Sequence, residues 1–291
     1  MKIKIPFLLG IIALFSLRAQ GVDMHNPNAH CPEDTLKVNQ IIRQLQAAAS
    51  PSLGDRVVEA ARALAGAGED DYYTADSTAT LRINVDTFTP LMFVNTAVAL
   101  AKASQRQGYS DWRNMATALE SIALRRGEDQ GYPSIMYHTS DWIIDNTNRG
   151  NLREITEDYR GGVVDRTKSL DEMTRYRKNF AALADSADFE KVRMTEMGFR
   201  THRIPTLKKE TIKKREILDD LQNGDIVILV PSRDGVDWWD IGIVEIKDGE
   251  PYLIHLSPAQ HQVVEEKESL LKYMPLMTKY FQGYRIVRLK E

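Results

Sequence analysis

The chain has 291 residues, of which 43% are hydrophobic and 27% are charged, with 38 Lys and Arg against 41 Asp and Glu. This composition is typical of a globular protein and excludes collagen, coiled-coil, mucin-like and wholly disordered chains. The formal net charge of −3 offers no overall attraction to nucleic acid or anionic lipid, because binding to a polyanion requires clustered positive charge. We therefore expect no nucleic-acid partner.

The N-terminus has the pattern of a secretory signal peptide. Lys2 and Lys4 precede an almost entirely apolar run over residues 5–17, and Ala19 supplies a small residue at the expected cut. These features predict a signal peptide over residues 1–19, a flexible leader over residues 20–33 and a periplasmic or secreted mature protein. The apolar run is too short for a permanent span and no second one follows, so we expect no membrane span after cleavage. The alternative is a retained N-terminal anchor.

The chain contains one cysteine, Cys31, so no intrachain disulfide is possible. The residues before it, Asn28, Ala29 and His30, lack the apolar and small residues of a lipid-attachment motif. His30 could activate the thiol or share a metal with it, but sequence neighbours point apart unless a turn brings them together. We interpret Cys31 as a leader residue without a catalytic role.

Helical patterns fill the first half of the chain. The predicted helices lie at about residues 36–45, 53–64, 91–103 and 111–126. Nearly every position of the third helix is apolar or small, which indicates a helix buried on all sides at the centre of a domain. Ser110 is placed to cap the fourth helix and Gly127 to end it.

The second half changes from a charged segment to predicted strands. We interpret residues 143–221 as a charged helical insertion with helical patches at 171–183 and 207–221. Its basic cluster around Lys213 is interleaved with Glu210 and Glu216, which indicates a solvated helix face. After Gly224, strands are predicted at residues 225–230, 240–246, 252–256 and 284–289. Helices followed by antiparallel strands predict a single α+β domain over residues 34–291.

Four segments of the chain together carry a family resemblance. They read LRINVDTFTPLMFV at residues 81–94, LESIALRRG at 119–127, GYPSIMYHTSDW at 131–142, and NGDIV, GVDWWDIGIV and IHLS at 223–227, 235–244 and 254–257. In order and spacing they resemble the papain-like NlpC-type cell-wall amidases, in particular the exported N-acetylmuramoyl-L-alanine amidase-like group of Bacteroidetes. The resemblance covers residues 55 to 289 approximately. It implies a papain-like NlpC-type fold in which a buried central helix packs on a C-terminal antiparallel sheet.

The resemblance implies amide hydrolysis by a Cys thiolate at the N-terminus of the buried helix, with a His base that a third polar residue orients. Position by position, the family's Asp-Cys pair falls on Thr89 and Pro90, its base on Asp240 and its third residue on His255. Proline has no nucleophile, and an ionised Asp is too weak a base for this role. Pro90 still suits the first turn of a helix. The resemblance therefore implies a degenerate member in which we expect no catalytic residue.

Three other sources of activity can be considered. Thr89 could replace the thiol as nucleophile, but we expect its hydroxyl to cap the helix. Cys31 could reach the site from the leader, although no spacing places it there. Asp237, Asp240 and His255 could bind a metal, but strand alternation puts Asp237 and Asp240 on opposite faces. We expect neither a metal nor a cofactor.

The residues expected to contact a ligand also differ from the family. Where many members carry Arg and His, this chain has Ile135 and Tyr137. Of the adjacent Trp238 and Trp239, one is expected to fill the core and the other to line the cleft. A purely structural role remains open for His255 and for Tyr73. The candidate ligand-binding residues are Tyr73, Thr89, Tyr137, His138, Trp239, Asp240 and His255.

Three functions follow from this reading. The first is an exported amidase-like protein without activity that binds a peptidoglycan stem peptide or a related cell-envelope ligand. The second is an active cell-wall amidase or peptidase with an unassigned nucleophile. The third is a structural cell-envelope interaction protein with a closed cleft. The expected partners are therefore peptidoglycan fragments or a cell-envelope protein, and an open groove at Pro90, Asp240 and His255 would favour the first function over the third.

Overall fold

The computed structural model describes residues 32–48, 50–70, 81–159 and 161–291. The predicted signal peptide, Cys31 and Tyr73 lie outside these residues. The first helix begins at Pro32, so the last two residues of the predicted leader are helical. No helix in the described ranges combines the length and the apolar character needed to cross a membrane.

The first half of the described chain is helical, as predicted. Its helices are α1 (Pro32–Ala48), α2 (Leu53–Ala63), α3 (Pro90–Gln105) and α4 (Asp111–Ala123). Residues 91–101 of α3 are all buried, because α1, α2, α4 and the sheet surround this helix. The Ser110 hydroxyl accepts a hydrogen bond from the Arg113 amide. The predicted central helix and the predicted Ser110 cap are thus both confirmed.

The strands of the described residues form a single mixed sheet in the order β2-β1-β9-β8-β7-β6-β10-β5-β4, with β3 also paired to β10. Most pairs are antiparallel, and β1 runs parallel to β2. The predicted strands after Gly224 are confirmed to within a few residues. The strands are β1 (Gly68–Glu69), β2 (Thr87–Phe88), β3 (Leu152–Glu154), β4 (Val163–Lys168), β5 (His202–Lys208), β6 (Ile226–Pro231), β7 (Asp240–Lys247), β8 (Glu250–Ser257), β9 (Gln262–Glu265) and β10 (Phe281–Leu289).

The segment 143–221 contains strands as well as helices, which corrects the expectation of a purely helical insertion, although its predicted patches at 171–183 and 207–221 are largely helical. Its strands β4 and β5 pair along their length, and β5 extends the main sheet by pairing with β10. Its helices are the end of α5 (Thr139–Asn148), then α6 (Glu172–Arg175), α7 (Ser186–Gly198) and α8 (Arg215–Asp220). The many charged residues obscure the polar and apolar alternation that would predict strands here. Pairing with β10, which is distant in sequence, makes these residues form strands.

The sheet separates two apolar cores. One core joins α3 and its neighbouring helices to strand residues that include Ile241, Ile243 and Ile254. The other core contains Val244 and Leu253 and lies beneath α8 and α9 (Leu270–Leu276). Because side chains alternate along a strand, each residue of β7 and β8 faces one core or the other. This alternation determines which of the predicted site residues can meet.

Candidate functional site

The N-terminus of α3 is where the family resemblance places the nucleophile. Pro90 occupies the first helical position, and the Phe93 amide donates to the Thr89 carbonyl at 2.9 Å. The Thr89 side chain makes no capping hydrogen bond, which corrects the expectation that its hydroxyl caps the helix. Its Oγ1 is buried and has no hydrogen-bond partner among the described residues. The helix therefore begins as predicted, but with an unused hydroxyl beside it.

A narrow cavity of about 20 Å³ lies at this end of α3, which is room for about one water molecule. Among its described lining residues are Thr89, Met92 and Thr96 from the helix, and Arg82 and Asn84 from the segment that leads to it. Its described lining combines polar and apolar side chains. A small polar group would fit beside the Thr89 hydroxyl.

Asp240 and His255 meet on neighbouring strands. Gly242 of β7 pairs with His255 of β8, and Asp240 Oδ2 lies 2.8 Å from His255 Nδ1. The Tyr273 hydroxyl on α9 donates to Asp240 Oδ2 at 3.0 Å, and His255 Nε2 lies 3.0 Å from Glu266 Oε1. Both ring nitrogens of His255 thus face carboxylates.

The carboxylates determine the charge of His255. Burial by itself disfavours the imidazolium, but Asp240 and Glu266 outweigh it and raise the pKa of His255 to about 9. Burial, together with the Asp240 charge, also raises the pKa of Tyr273. Asp240 and His255 are fully buried, so this is an enclosed ionic cluster around a protonated histidine.

The sheet keeps this cluster apart from α3. Asp240 and His255 share their strand face with Val244 and Leu253, whereas the intervening Ile241 belongs to the core that contains α3. The structure therefore brings together two of the three positions matched to the family's catalytic residues. Pro90 begins α3, which packs on the other face of the sheet.

The two tryptophans lie on opposite sides of the sheet. Trp238 packs against the core of α3, donates from Nε1 to the Tyr137 carbonyl at 3.1 Å, and has its ring 5.9 Å from that of Tyr137. Trp239 stacks on Tyr280 at 4.8 Å on the opposite side. Trp239 is the tryptophan expected from the sequence to contact a ligand, but Trp238 lies on the side of α3. Strand alternation alone could not decide between them, because both residues precede β7.

His138 lies in a buried polar network rather than at an open surface. Its Nε2 is 2.9 Å from Glu196 Oε1, and the Glu196 carboxylate also accepts from backbone amides at the start of α6. The Asp237 carboxylate accepts from the Thr139 and Ser140 amides. Burial alone would raise the pKa of Asp237, but His138, Arg285 and the Ser140 hydrogen bonds lower it. The network joins α5 to α6, α7 and β10, so His138 has a structural position.

The chemistry available to these groups is limited. In the described ranges, the Thr89 hydroxyl lacks a basic partner and His255 has no hydroxyl or thiol on either nitrogen. The same residues contain no group of three His, Cys, Asp or Glu side chains arranged to hold a metal ion. The site residues thus form buried ion pairs, and those near α3 provide polar or aromatic contacts.

Solved structures of amidases share this fold. An N-acetylmuramoyl-L-alanine amidase from Bacteroides uniformis aligns with a TM-score of 0.71 and 22% identity, over 82% of this chain and 99% of that chain. A Bacteroides fragilis protein, described provisionally as a xylanase, aligns with a TM-score of 0.68 and 26% identity, over 79% of this chain and 99% of that chain. A Legionella pneumophila protein aligns with a TM-score of 0.67 and 15% identity, over 89% and 95% of the two chains.

The family of the chain follows from its sequence match. The model of the AmiA-like family, described as N-acetylmuramoyl-L-alanine amidase-like, matches residues 70–279. The chain belongs to this family and is a cell-wall amidase-like protein. Membership suggests peptidoglycan-related substrates and an extracytoplasmic location. No curated protein matches the chain.

Proposed function

We propose that the protein is an exported amidase-like protein that has lost the hydrolytic site of its family and binds a peptidoglycan stem peptide or a related cell-envelope ligand. One observation carries this proposal: Pro90 stands at the first position of α3, where the resemblance puts the thiol. Because proline has no nucleophilic side chain, thiol-dependent amide hydrolysis cannot begin at this helix.

The neighbouring groups support the same conclusion. A Thr nucleophile needs a base within hydrogen-bond reach, but in the part of the chain that the structure describes Thr89 Oγ1 has no partner. Asp240 replaces the expected histidine, and its carboxylate is engaged with His255 and Tyr273. The ligand-binding residues proposed from the sequence therefore act through contacts other than a nucleophile and base.

The surface proposed for the ligand is the side of the sheet that carries α3. Tyr137 and Trp238 are half-buried there and pack edge to face. Aromatic faces of this kind contact the apolar parts of peptides and sugars, while their polar atoms make hydrogen bonds. Trp238 replaces Trp239 as the proposed tryptophan contact, since Trp239 is stacked on Tyr280.

The test uses purified mature protein and soluble peptidoglycan fragments, with cleavage followed by mass spectrometry and binding by calorimetry. We expect no cleavage and weak binding that Trp238→Ala lowers. Trp239→Ala is the matched control and should leave the affinity unchanged. Iodoacetamide-sensitive hydrolysis would overturn the proposal and support an active amidase with an unassigned nucleophile.

A structural role in a cell-envelope complex is the second candidate. It is favoured by the complete burial of Asp240 and His255, because these positions then offer no open groove to a ligand. Absence of binding to any fragment, with Trp238→Ala as stable as the wild type, would support this candidate over the first.

Export is part of the proposal and can be tested separately. The sequence pattern places the mature N-terminus at Gln20, after the small residue Ala19. Mass spectrometry of the protein from the periplasm or the medium should find this terminus. An intact Met1 would contradict cleavage and support the retained anchor.

A further inference from the structure

A second cavity, with a volume of about 210 Å³, lies beside the turns at Arg125–Gly127 and Tyr132–Ser134 and against α7. It shares no lining residue with the cavity at the N-terminus of α3. Arg125, Arg126 and Lys191 line it, and the other described lining residues are uncharged. The cavity wall is therefore cationic in a chain whose net charge is negative.

The three cations differ in how far they are neutralised. Arg125 is paired with Asp141 at 2.5 Å, and burial raises the pKa of Asp141. Lys191 pairs with Asp188 on its own helix at 3.4 Å, but its side chain is exposed, so solvent screens this ion pair. The Arg126 side chain has no ion pair with any described residue. Arg126 and Lys191 thus retain most of their charge for a ligand.

The backbone of Arg126 provides an independent observation. Its φ is +58°, in the left-handed region that side chains with a Cβ atom rarely adopt. The Arg126 amide donates to Asp145 Oδ1 at 2.9 Å, which holds the turn in this conformation. Glycine would adopt it without the Cβ clash. An arginine in a strained conformation at the wall of a cavity points to a use for its side chain.

We propose that this cavity binds a compact oxyanion, the carboxylate or phosphate group of a small ligand. The planar guanidinium of Arg126 matches two oxygens of such a group, and Lys191 brings a second positive charge to the same cavity. Gln130, Ser134 and Thr195 supply polar contacts around the charged group. This site does not depend on the function proposed above.

The test is an NMR titration of the purified protein with inorganic phosphate, with N-acetylalanine and with N-acetylalanine amide as the uncharged probe. We expect phosphate or N-acetylalanine to shift the amide resonances of Arg126, Gly127 and Gln130, and the amide to shift none. The comparison of phosphate with N-acetylalanine identifies the preferred oxyanion.

Variants separate this site from non-specific charge. Arg126→Gly preserves the backbone conformation, so it should fold at least as well as the wild type while weakening anion binding by roughly tenfold or more. Lys191→Gln should also weaken binding, and Arg126→Lys should retain part of it. Arg106→Gln removes an exposed arginine outside the cavity and should have no effect. Equal affinity in Arg126→Gly and the wild type, or shifts centred elsewhere, would overturn the proposal.

Discussion

The carboxylate of Asp240 lies 2.8 Å from Nδ1 of His255, and the two side chains are fully buried on neighbouring strands. Glu266 faces the other ring nitrogen and Tyr273 donates to Asp240. In the family resemblance these positions match a base and the residue that orients it. Here they form an ion pair that joins β7, β8 and α9, so a pair of positions matched to catalysis contributes to stability.

The first prediction concerns pH. The folded-state pKa of His255 is about 9, above its ordinary value of 6.5, so the ionised histidine stabilises the folded state. This contribution is fully present below pH 6.5 and is lost as the pH rises through 9. The difference between the folded-state pKa of His255 and its ordinary pKa corresponds to about 3 kcal/mol in the free energy of unfolding. Urea denaturation between pH 6 and pH 10 measures the loss.

Two variants isolate the histidine responsible. His255→Gln should be less stable than the wild type at pH 6 and should lose less stability as the pH rises. His261→Gln changes an exposed histidine, whose side chain is 70% exposed, and should keep the wild-type pH profile. If the stability of His255→Gln changes with pH as that of the wild type does, another group causes the pH dependence.

The second prediction tests the position matched to the nucleophile. In a Cys31→Ser background, Pro90→Cys places a thiol at the N-terminus of a 16-residue helix. The positive end of the helix dipole favours the thiolate, so its pKa should lie below the ordinary value of about 8.5. The pH dependence of its alkylation by iodoacetamide measures this pKa. An unreactive thiol in a folded protein would contradict the placement.

The same background tests whether the base position is within reach. The family resemblance predicts that adding Asp240→His to Pro90→Cys restores a catalytic pair. Because Asp240 faces the core opposite to α3, we expect this second change to leave the alkylation rate of Cys at position 90 unchanged. A clear rise in the rate or any amidase activity would show that the two positions meet.

The third prediction concerns the buried arginine of β10. Arg285 is paired with Glu154 at 2.8 Å, lies 3.7 Å from Asp237 and is only 2% exposed. Arg285→Leu leaves buried carboxylates without their cation and should lower the free energy of unfolding by about 3–5 kcal/mol. Arg153→Leu removes an ion pair whose partners are both about half exposed. This variant should change the free energy of unfolding by less than about 1 kcal/mol. Urea denaturation compares the two.

The fourth prediction concerns the contact between α2 and the start of the sheet. A Cβ atom on Gly54 would lie 2.0 Å from the Asn223 carbonyl oxygen, so Gly54→Ala must push two backbone segments apart. We expect a loss of about 2 kcal/mol or more. Gly198→Ala, in open space at the end of α7, should be neutral or stabilising by about 0.5–1 kcal/mol. Thermal unfolding of both variants gives the comparison.

Local patterns in the sequence were sufficient for much of the fold. The run of small and apolar residues at 91–101 predicted the buried helix α3, because a helix without a polar face must be enclosed on all sides. Ser110 predicted the start of α4 through its hydroxyl. Alternation after Gly224 predicted β6, β7, β8 and β10. The sequence also predicted that Pro90, which has no nucleophilic side chain, lies in the first turn of α3.

Long-range pairing decided the rest. Residues 163–168 and 202–208 are charged and read locally as part of a helical segment, but pairing of β4 with β5 and of β5 with β10 makes them strands. Likewise, periodicity gives the alternation within each strand, but only the pairing of Gly242 with His255 puts Asp240 and His255 on one face of the sheet. The packing of α3 on one face and α9 on the other makes them a buried ion pair. Only the tertiary structure contains that information, because it depends on contacts between segments far apart in the chain.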